Sequence, residues 1–227
     1  MAIRTVHLPD GTDIVIDEWL HWPLFSTLEL DNAVGLDLRC FTYVVGQRVP
    51  RNGTIAARNA TDADTNMSVR GRINHDEAFV CFSITYEPFA LDSFTTGSPA
   101  QNFAVAPMIH SRNLRILQRE VVVGLYVGAG IRKPQFRAPF SYVGQGPGAP
   151  AWGTGDAVDA AAIVRPSYGT GGRPTPNNQR RFNLPIFIES DRTMYFHARS
   201  PNGVMANLSQ DIRLRFYLDG IKRRPVA

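Results

Sequence analysis

The chain has 227 residues, of which 44% are hydrophobic and 19% charged, with a formal net charge of +4. This composition excludes a fully disordered chain, because enough apolar surface is available to offset the entropy lost on folding. Cys40 and Cys81 are too few for a disulfide framework. No stretch is long and apolar enough for a membrane helix and no signal peptide is visible, so we expect cytoplasmic synthesis and no membrane partner.

Residues 1–30 are predicted to form an N-terminal arm ahead of a single domain that spans residues 31–227. The arm contains two of the three tryptophans of the chain, Trp19 and Trp22, and also Phe25. Large aromatic side chains bury much area at little rotamer cost, so these three residues are candidates for an interface. The alternative is that they cap one end of the core.

Alternation of apolar and polar residues indicates β-strands along the rest of the chain, whereas helical periodicity is weak. The clearest pattern covers residues 211–218, and Cys81 falls in a similar strand, where we expect a buried structural thiol. We predict an all-β domain, a jelly-roll-like antiparallel sandwich of two sheets with roughly eight to ten strands. Further strands are predicted over residues 36–45, 67–73, 80–86, 114–123, 136–143, 181–188 and 193–198.

A long loop rich in glycine and proline is predicted to be inserted in the sandwich at residues 144–179. It holds 8 Gly and 5 Pro in 36 residues. Loops of this length within compact domains are usually functional or disordered. Trp152, Tyr168 and Arg173 on this loop are therefore candidates for contacts between subunits.

The positive charges are almost all arginine, with 22 Arg against 2 Lys. The guanidinium group forms forked pairs with carboxylates and tolerates burial at interfaces, although a GC-rich genome would produce the same bias. The arginines are spread along the chain, so we do not expect a specific nucleic-acid ligand. At the C-terminal end, Lys222, Arg223 and Arg224 are expected to meet an acidic partner surface.

No motif of enzymatic or metal chemistry is visible in the sequence. The five histidines are far apart in the sequence and form no metal-binding motif, so we interpret them as ordinary strand or loop residues. The G-x-S-x-G motif of a catalytic serine is also missing. Residues 62–66 resemble the start of a calcium loop, but Met67 and Ile73 replace its glycine and glutamate, so a solvated turn is expected. We expect no cofactor, no metal and no enzyme activity; a hydrolase whose carboxylates converge only in the fold remains an alternative.

The last third of the chain has a recognisable pattern over residues 181–189, 191–198 and 211–222. It resembles the closing strands of bacteriophage virion structural proteins, where a Leu-Pro-x-x-Ile strand precedes an Arg-rich amphipathic strand that ends in a Leu-x-Gly turn. The resemblance implies a virion structural protein, as a shell, decoration, neck or tail subunit that binds its own copies and other virion proteins. The alternative is a carbohydrate-binding β-sandwich module that stacks Trp152 or Tyr168 on sugar rings.

Overall fold

The computed structural model describes residues 5–7, 11, 13–15, 19–31, 35–90, 116–128, 133–145, 181–201, 208 and 211–223. These ranges contain a helical segment at residues 116–120, a single 3-10 turn at Phe140–Tyr142, and twelve β-strands. The strands are β1 (Thr5–His7), β2 (Asp13–Val15), β3 (Trp19–His21), β4 (Leu24–Leu30), β5 (Asp37–Cys40), β6 (Ala78–Ala90), β7 (Val122–Val127), β8 (Phe136–Pro139), β9 (Gly144–Gln145), β10 (Arg181–Ile188), β11 (Met194–Arg199) and β12 (Ile212–Arg223).

Ten of these strands form two sheets, which are antiparallel apart from the short β9. Sheet I has the order β10-β6-β12-β4, with β3 beside the end of β12 and the short β9 parallel to β6. Sheet II has the order β5-β11-β7-β8, and β1 pairs with β2 in a separate hairpin. The predicted two-sheet antiparallel sandwich is confirmed.

The pairing order is that of a jelly roll. Eight principal strands remain in the two sheets when the short β3 and β9 are set aside. In chain order, the first of them pairs with the last (β4 with β12), the second with the seventh (β5 with β11), the third with the sixth (β6 with β10) and the fourth with the fifth (β7 with β8). The chain behaves as one long hairpin folded over on itself, so each connection crosses between the sheets except the one from β7 to β8. This arrangement places residues far apart in sequence side by side in sheet I.

The core lies between the two sheets and follows from the alternation in their strands. In β12, the buried residues Ile212, Leu214, Phe216 and Leu218 point inward. The ring of Phe216 lies 4.6 Å from that of Phe196 in sheet II, which joins the two layers at their centre. Cys81 is also fully buried and forms no disulfide, as expected, and burial raises the pKa of its thiol.

The N-terminal boundary of the sandwich differs from the prediction. Residues 24–30, assigned to the arm, pair with residues 212–218 of β12. Leu24, Leu28 and Leu30 are buried in the main core. The alternation of these leucines with Phe25, Thr27 and Glu29 gives β4 one face toward the core, so the arm does not extend to residue 30.

Two predicted strands are also corrected. Residues 67–73 form no strand, because Gly71 has a φ of 65° and its carbonyl accepts a hydrogen bond of 2.7 Å from the Met194 amide at the end of β11. Within residues 114–123, the described part is helical at 116–120 and becomes β7 only at Val122. Of the predicted loop 144–179, only Gly144 and Gln145 are among the described residues.

Residues 41–77, which we call the 41–77 loop, cover the outer edge of β4. The amide of Thr27 donates to the carbonyl of Asp64 at 2.9 Å, and the amide of Glu29 donates to the carbonyl of Pro50 at 3.0 Å. An open strand edge is a site for unwanted pairing, so this loop protects the edge of β4.

Candidate functional site

The candidate functional site consists of the two lateral ends of sheet I, where large apolar side chains are exposed. At the β3 end, Trp22 is 45% exposed, although its amide donates a 3.1 Å hydrogen bond to the carbonyl of Gly220. The ammonium group of Lys222 lies 5.8 Å from the Trp22 ring centre. Trp22 is thus held in place by the fold while its ring remains available for contact.

The other sequence candidates near this end have different surroundings. Trp19 is half-buried and its backbone pairs with Arg223. Phe25 lies on the outer face of sheet I, with its ring 6.1 Å from Tyr217 and 5.6 Å from the Arg215 guanidinium. The structure therefore does not bring Phe25 into one exposed patch with Trp22.

Lys222, expected from the sequence to meet an acidic partner surface, pairs with a carboxylate of its own chain. Its ammonium group lies 2.8 Å from a carboxylate oxygen of Glu77, and both side chains are largely buried. Arg224, Trp152, Tyr168 and Arg173 lie outside the described residues.

At the opposite end of sheet I, strand β10 exposes Leu184 (77%) and Phe187 (54%). Sequence reasoning missed both residues. The sequence does contain a sign of their exposure, which is the apolar run from Leu184 to Ile188. Such a run places apolar side chains on both faces of a strand, and only one face can point into the core, so some of these side chains must be exposed. Pro185 has no amide hydrogen and the register shifts between Arg181 and Ile186, so β10 is poorly suited to sheet extension.

A buried network of charged side chains fastens the 41–77 loop to sheet I. Arg58 donates to Glu29 at 2.6 Å and to both carboxylate oxygens of Asp64 at 2.7 and 2.6 Å. Arg213, opposite Glu29 on β12, donates to the same Glu29 oxygen at 3.1 Å. Both carboxylates are almost completely buried, so the turn predicted to be solvated at residues 62–66 is exposed at Asp62 and Ala63 but buried at Asp64.

Burial alone would raise the pKa of Asp64, but its hydrogen bonds act in the opposite direction and outweigh burial. Arg58 donates to both of its oxygens, and the amide and hydroxyl of Thr61 donate to one of them at 2.9 and 3.0 Å. The pKa of Asp64 is therefore held far below its ordinary value, and this carboxylate is fully ionised near neutral pH.

Each of the four histidines in the described ranges pairs with an aspartate. His7 contacts Asp13. The remaining pairs, given with their N···O distances, are His21–Asp219 (2.9 Å), His75–Asp191 (2.5 Å) and His197–Asp37 (2.5 Å). The pairs are separate and mostly exposed, and they connect neighbouring strands or loops. His110 lies outside the described residues.

Replacing Asp191 by asparagine is expected to lower the pKa of His75. The hydrogen bond and charge of Asp191, followed by the charge of Asp76, raise the pKa of this exposed imidazole. The pair therefore stabilises the fold below the ordinary histidine pKa of about 6.5, and this contribution is lost as pH rises through the raised value. An NMR titration of the His75 ring protons measures the shift; E189Q, which removes a carboxylate two residues before Asp191 that pairs with Arg192, should leave the titration unchanged.

Within the ranges described, no group of three or more His, Cys, Asp or Glu side chains is arranged to hold a metal ion. Likewise, no helix in the described part of the chain has the length and apolar character needed to cross a membrane. Comparison of the chain with models of known families, with curated proteins and with solved structures finds no match.

Proposed function

We propose that this protein is a structural subunit of a virion, which acts by binding copies of itself and companion virion proteins. The jelly roll is an architecture of capsid subunits and also of lectin domains and cupins, so the fold supports this proposal without deciding it. The observation that carries the proposal is the placement of exposed apolar side chains. Of the five large hydrophobic residues that are exposed in the described ranges, three (Trp22, Leu184 and Phe187) lie at the two lateral ends of one sheet.

This placement favours a head-to-tail contact between neighbouring subunits. The order β10-β6-β12-β3 separates the β10 end from the Trp22 end by the width of the sheet. If the β10 end of one copy packs against the Trp22 end of the next, the interface is heterologous, and repetition produces a ring where the rotation closes or a helical filament where it does not. Because β10 carries Pro185 and a register shift, the contact is made by side chains rather than by extension of the sheet.

Replacing Leu184 and Phe187 by aspartate in the full chain is expected to weaken self-association by about 100-fold or more, because central apolar contacts dominate interface energies. Size-exclusion chromatography with light scattering over a range of concentrations measures the change. Q135D/T193D is the matched control, because it places the same two charges at exposed positions that precede β8 and β11 of sheet II, away from both lateral ends of sheet I. A wild-type chain that stays monomeric at every concentration would contradict self-association.

A second experiment separates a virion subunit from an ordinary oligomer. Electron microscopy of purified particles labelled with an antibody against this chain should show regularly spaced label on the particle. Absence of the chain from particles would contradict the virion assignment even if the protein forms oligomers. The carbohydrate-binding alternative depends on Trp152 and Tyr168, which lie outside the described residues, and it stays a prediction.

A further inference from the structure

The outer face of sheet II carries an arginine-rich surface that differs from the lateral ends of sheet I. The register aligns Arg137, Gly124, His197 and Arg39 in one row across β8, β7, β11 and β5. Arg199 follows His197 by two residues on β11 and therefore points to the same side. We call Arg39, Arg137 and Arg199 the arginine triad.

The arginine triad has no ion pair within the described ranges, unlike many arginines of this chain. Those that do pair with a carboxylate are Arg58, Arg72, Arg119, Arg192, Arg213 and Arg215. On the triad's own face, Asp37 is the single carboxylate at the outward positions of the four strands; it is paired with His197 at 2.5 Å and lies opposite Arg199 in the register. One carboxylate offsets only part of the charge of three arginines, so the face keeps a net positive charge.

The aromatic side chains on this face are already stacked. The rings of Tyr195 and Tyr126 lie 4.8 Å apart and only 12° from parallel. On the other side of Tyr195, toward β5, the Arg39 guanidinium lies 4.6 Å from the ring centre. Because both faces of the Tyr195 ring are covered, this ring offers no platform for a nucleobase or a sugar.

We propose that the outer face of sheet II binds an acidic polypeptide segment of a partner protein. Arginine forms forked hydrogen bonds with carboxylates, and the covered tyrosine ring favours such a partner over nucleic acid. Arg137 and Arg39 are separated by three strand spacings, about 14 Å, which an extended segment of roughly four or five residues spans. This inference uses a different face from the proposed self-association and does not depend on it.

Binding of fluorescein-labelled poly-L-glutamate to the full chain, measured by anisotropy at low and at physiological salt, tests the proposal. Charge reversal of the triad, R39E/R137E/R199E, is expected to weaken binding about 100-fold or more, since each arginine supplies a charge-assisted contact. The wild-type affinity is expected to fall as salt increases. Circular dichroism verifies that the variant is folded; if it is not, R199Q alone should still weaken binding several-fold.

The matched control is R72E/R119E/R192E, which makes the same change in net charge at exposed arginines away from the triad. It should weaken binding several times less than the triad variant. Equal losses in the two variants would overturn the proposal, because they would show an effect of net charge alone. A duplex DNA of about 20 base pairs that binds more tightly than poly-L-glutamate, with the same dependence on the triad, would overturn it in favour of a nucleic-acid surface. No binding of poly-L-glutamate at low salt would also overturn it.

Discussion

Replacing Arg58 by methionine is expected to lower the free energy of unfolding by about 3–5 kcal/mol. Arg58 is the only residue found to contact both Glu29 and Asp64 among those the structure describes. Within the part of the chain that the structure describes, the variant leaves the buried Asp64 without a cationic partner, and Glu29 keeps only Arg213. Removing one member of a buried ion network lowers the free energy of unfolding by more than the intact network contributes to it, because the remaining charges stay buried without their partner.

Urea unfolding followed by tryptophan fluorescence measures this loss. R192M is the matched control, because Arg192 forms a half-exposed pair with Glu189 at 2.8 Å, and such pairs contribute at most about 1 kcal/mol. A loss in R58M no larger than that in R192M would contradict the structural role of the network. The 41–77 loop should also become more susceptible to proteolysis in R58M, because Arg58 fastens it to β4.

The same network predicts an acid-dependent loss of stability. Because the pKa of Asp64 is lowered on folding, its contribution is present above the ordinary aspartate pKa of about 3.9 and is lost as pH falls toward the folded-state value. The difference in unfolding free energy between wild type and R58M should therefore shrink below about pH 4. A difference that stays constant down to about pH 2 would exclude ionised Asp64 as its source.

The sequence predicts the strands whose signal is local. Residues 212–218 alternate strictly, and the structure places the apolar set inward at every step. The pairing of β4 with β12 could not be predicted in the same way, because it joins residues that lie near opposite ends of the chain. Hydrophobic alternation specifies which face of a strand is buried, but not which strand lies beside it.

The charge network shows why burial of polar residues is difficult to predict. In the sequence, Asp62 and Asp64 look alike, as members of a polar turn. In the fold, Asp62 is exposed, whereas Asp64 is buried against Arg58 and the edge of β4. The difference arises from the path of the 41–77 loop across sheet I, which no local pattern encodes.

The exposed contact residues are predictable only in part. Trp22 is identifiable by residue type, since large aromatic side chains are enriched in interfaces. Leu184 and Phe187 are not, because an apolar run in a predicted strand is normally assigned to the core. Their exposure follows from the position of β10 at the lateral end of sheet I, where only one face of the strand meets the core.

Replacing Gly220 by valine is expected to destabilise the protein by about 3 kcal/mol or more, although strand propensity alone predicts the opposite sign. Gly220 lies in β12 where the register with β6 shifts, opposite Cys81. A Cβ atom there would lie 2.1 Å from the carbonyl oxygen of Val80 and 2.7 Å from the ring of Phe79. Backbone and a fully buried ring occupy that space, so β6 and β12 would have to separate.

Thermal unfolding of G220V beside G46A tests this interpretation. Gly46 has a φ of 84°, and no atom lies within 4 Å of the position that a Cβ would take there, so alanine costs only the backbone strain of about 1 kcal/mol. If G220V unfolds at the wild-type temperature or above it, the two strands are not in close contact at the bulge. The backbone of Gly220 lies outside the left-handed region, so it does not need the conformational freedom of glycine. A loss of stability clearly greater in G220V than in G46A therefore shows that position 220 requires glycine because β6 lies too close to admit a side chain.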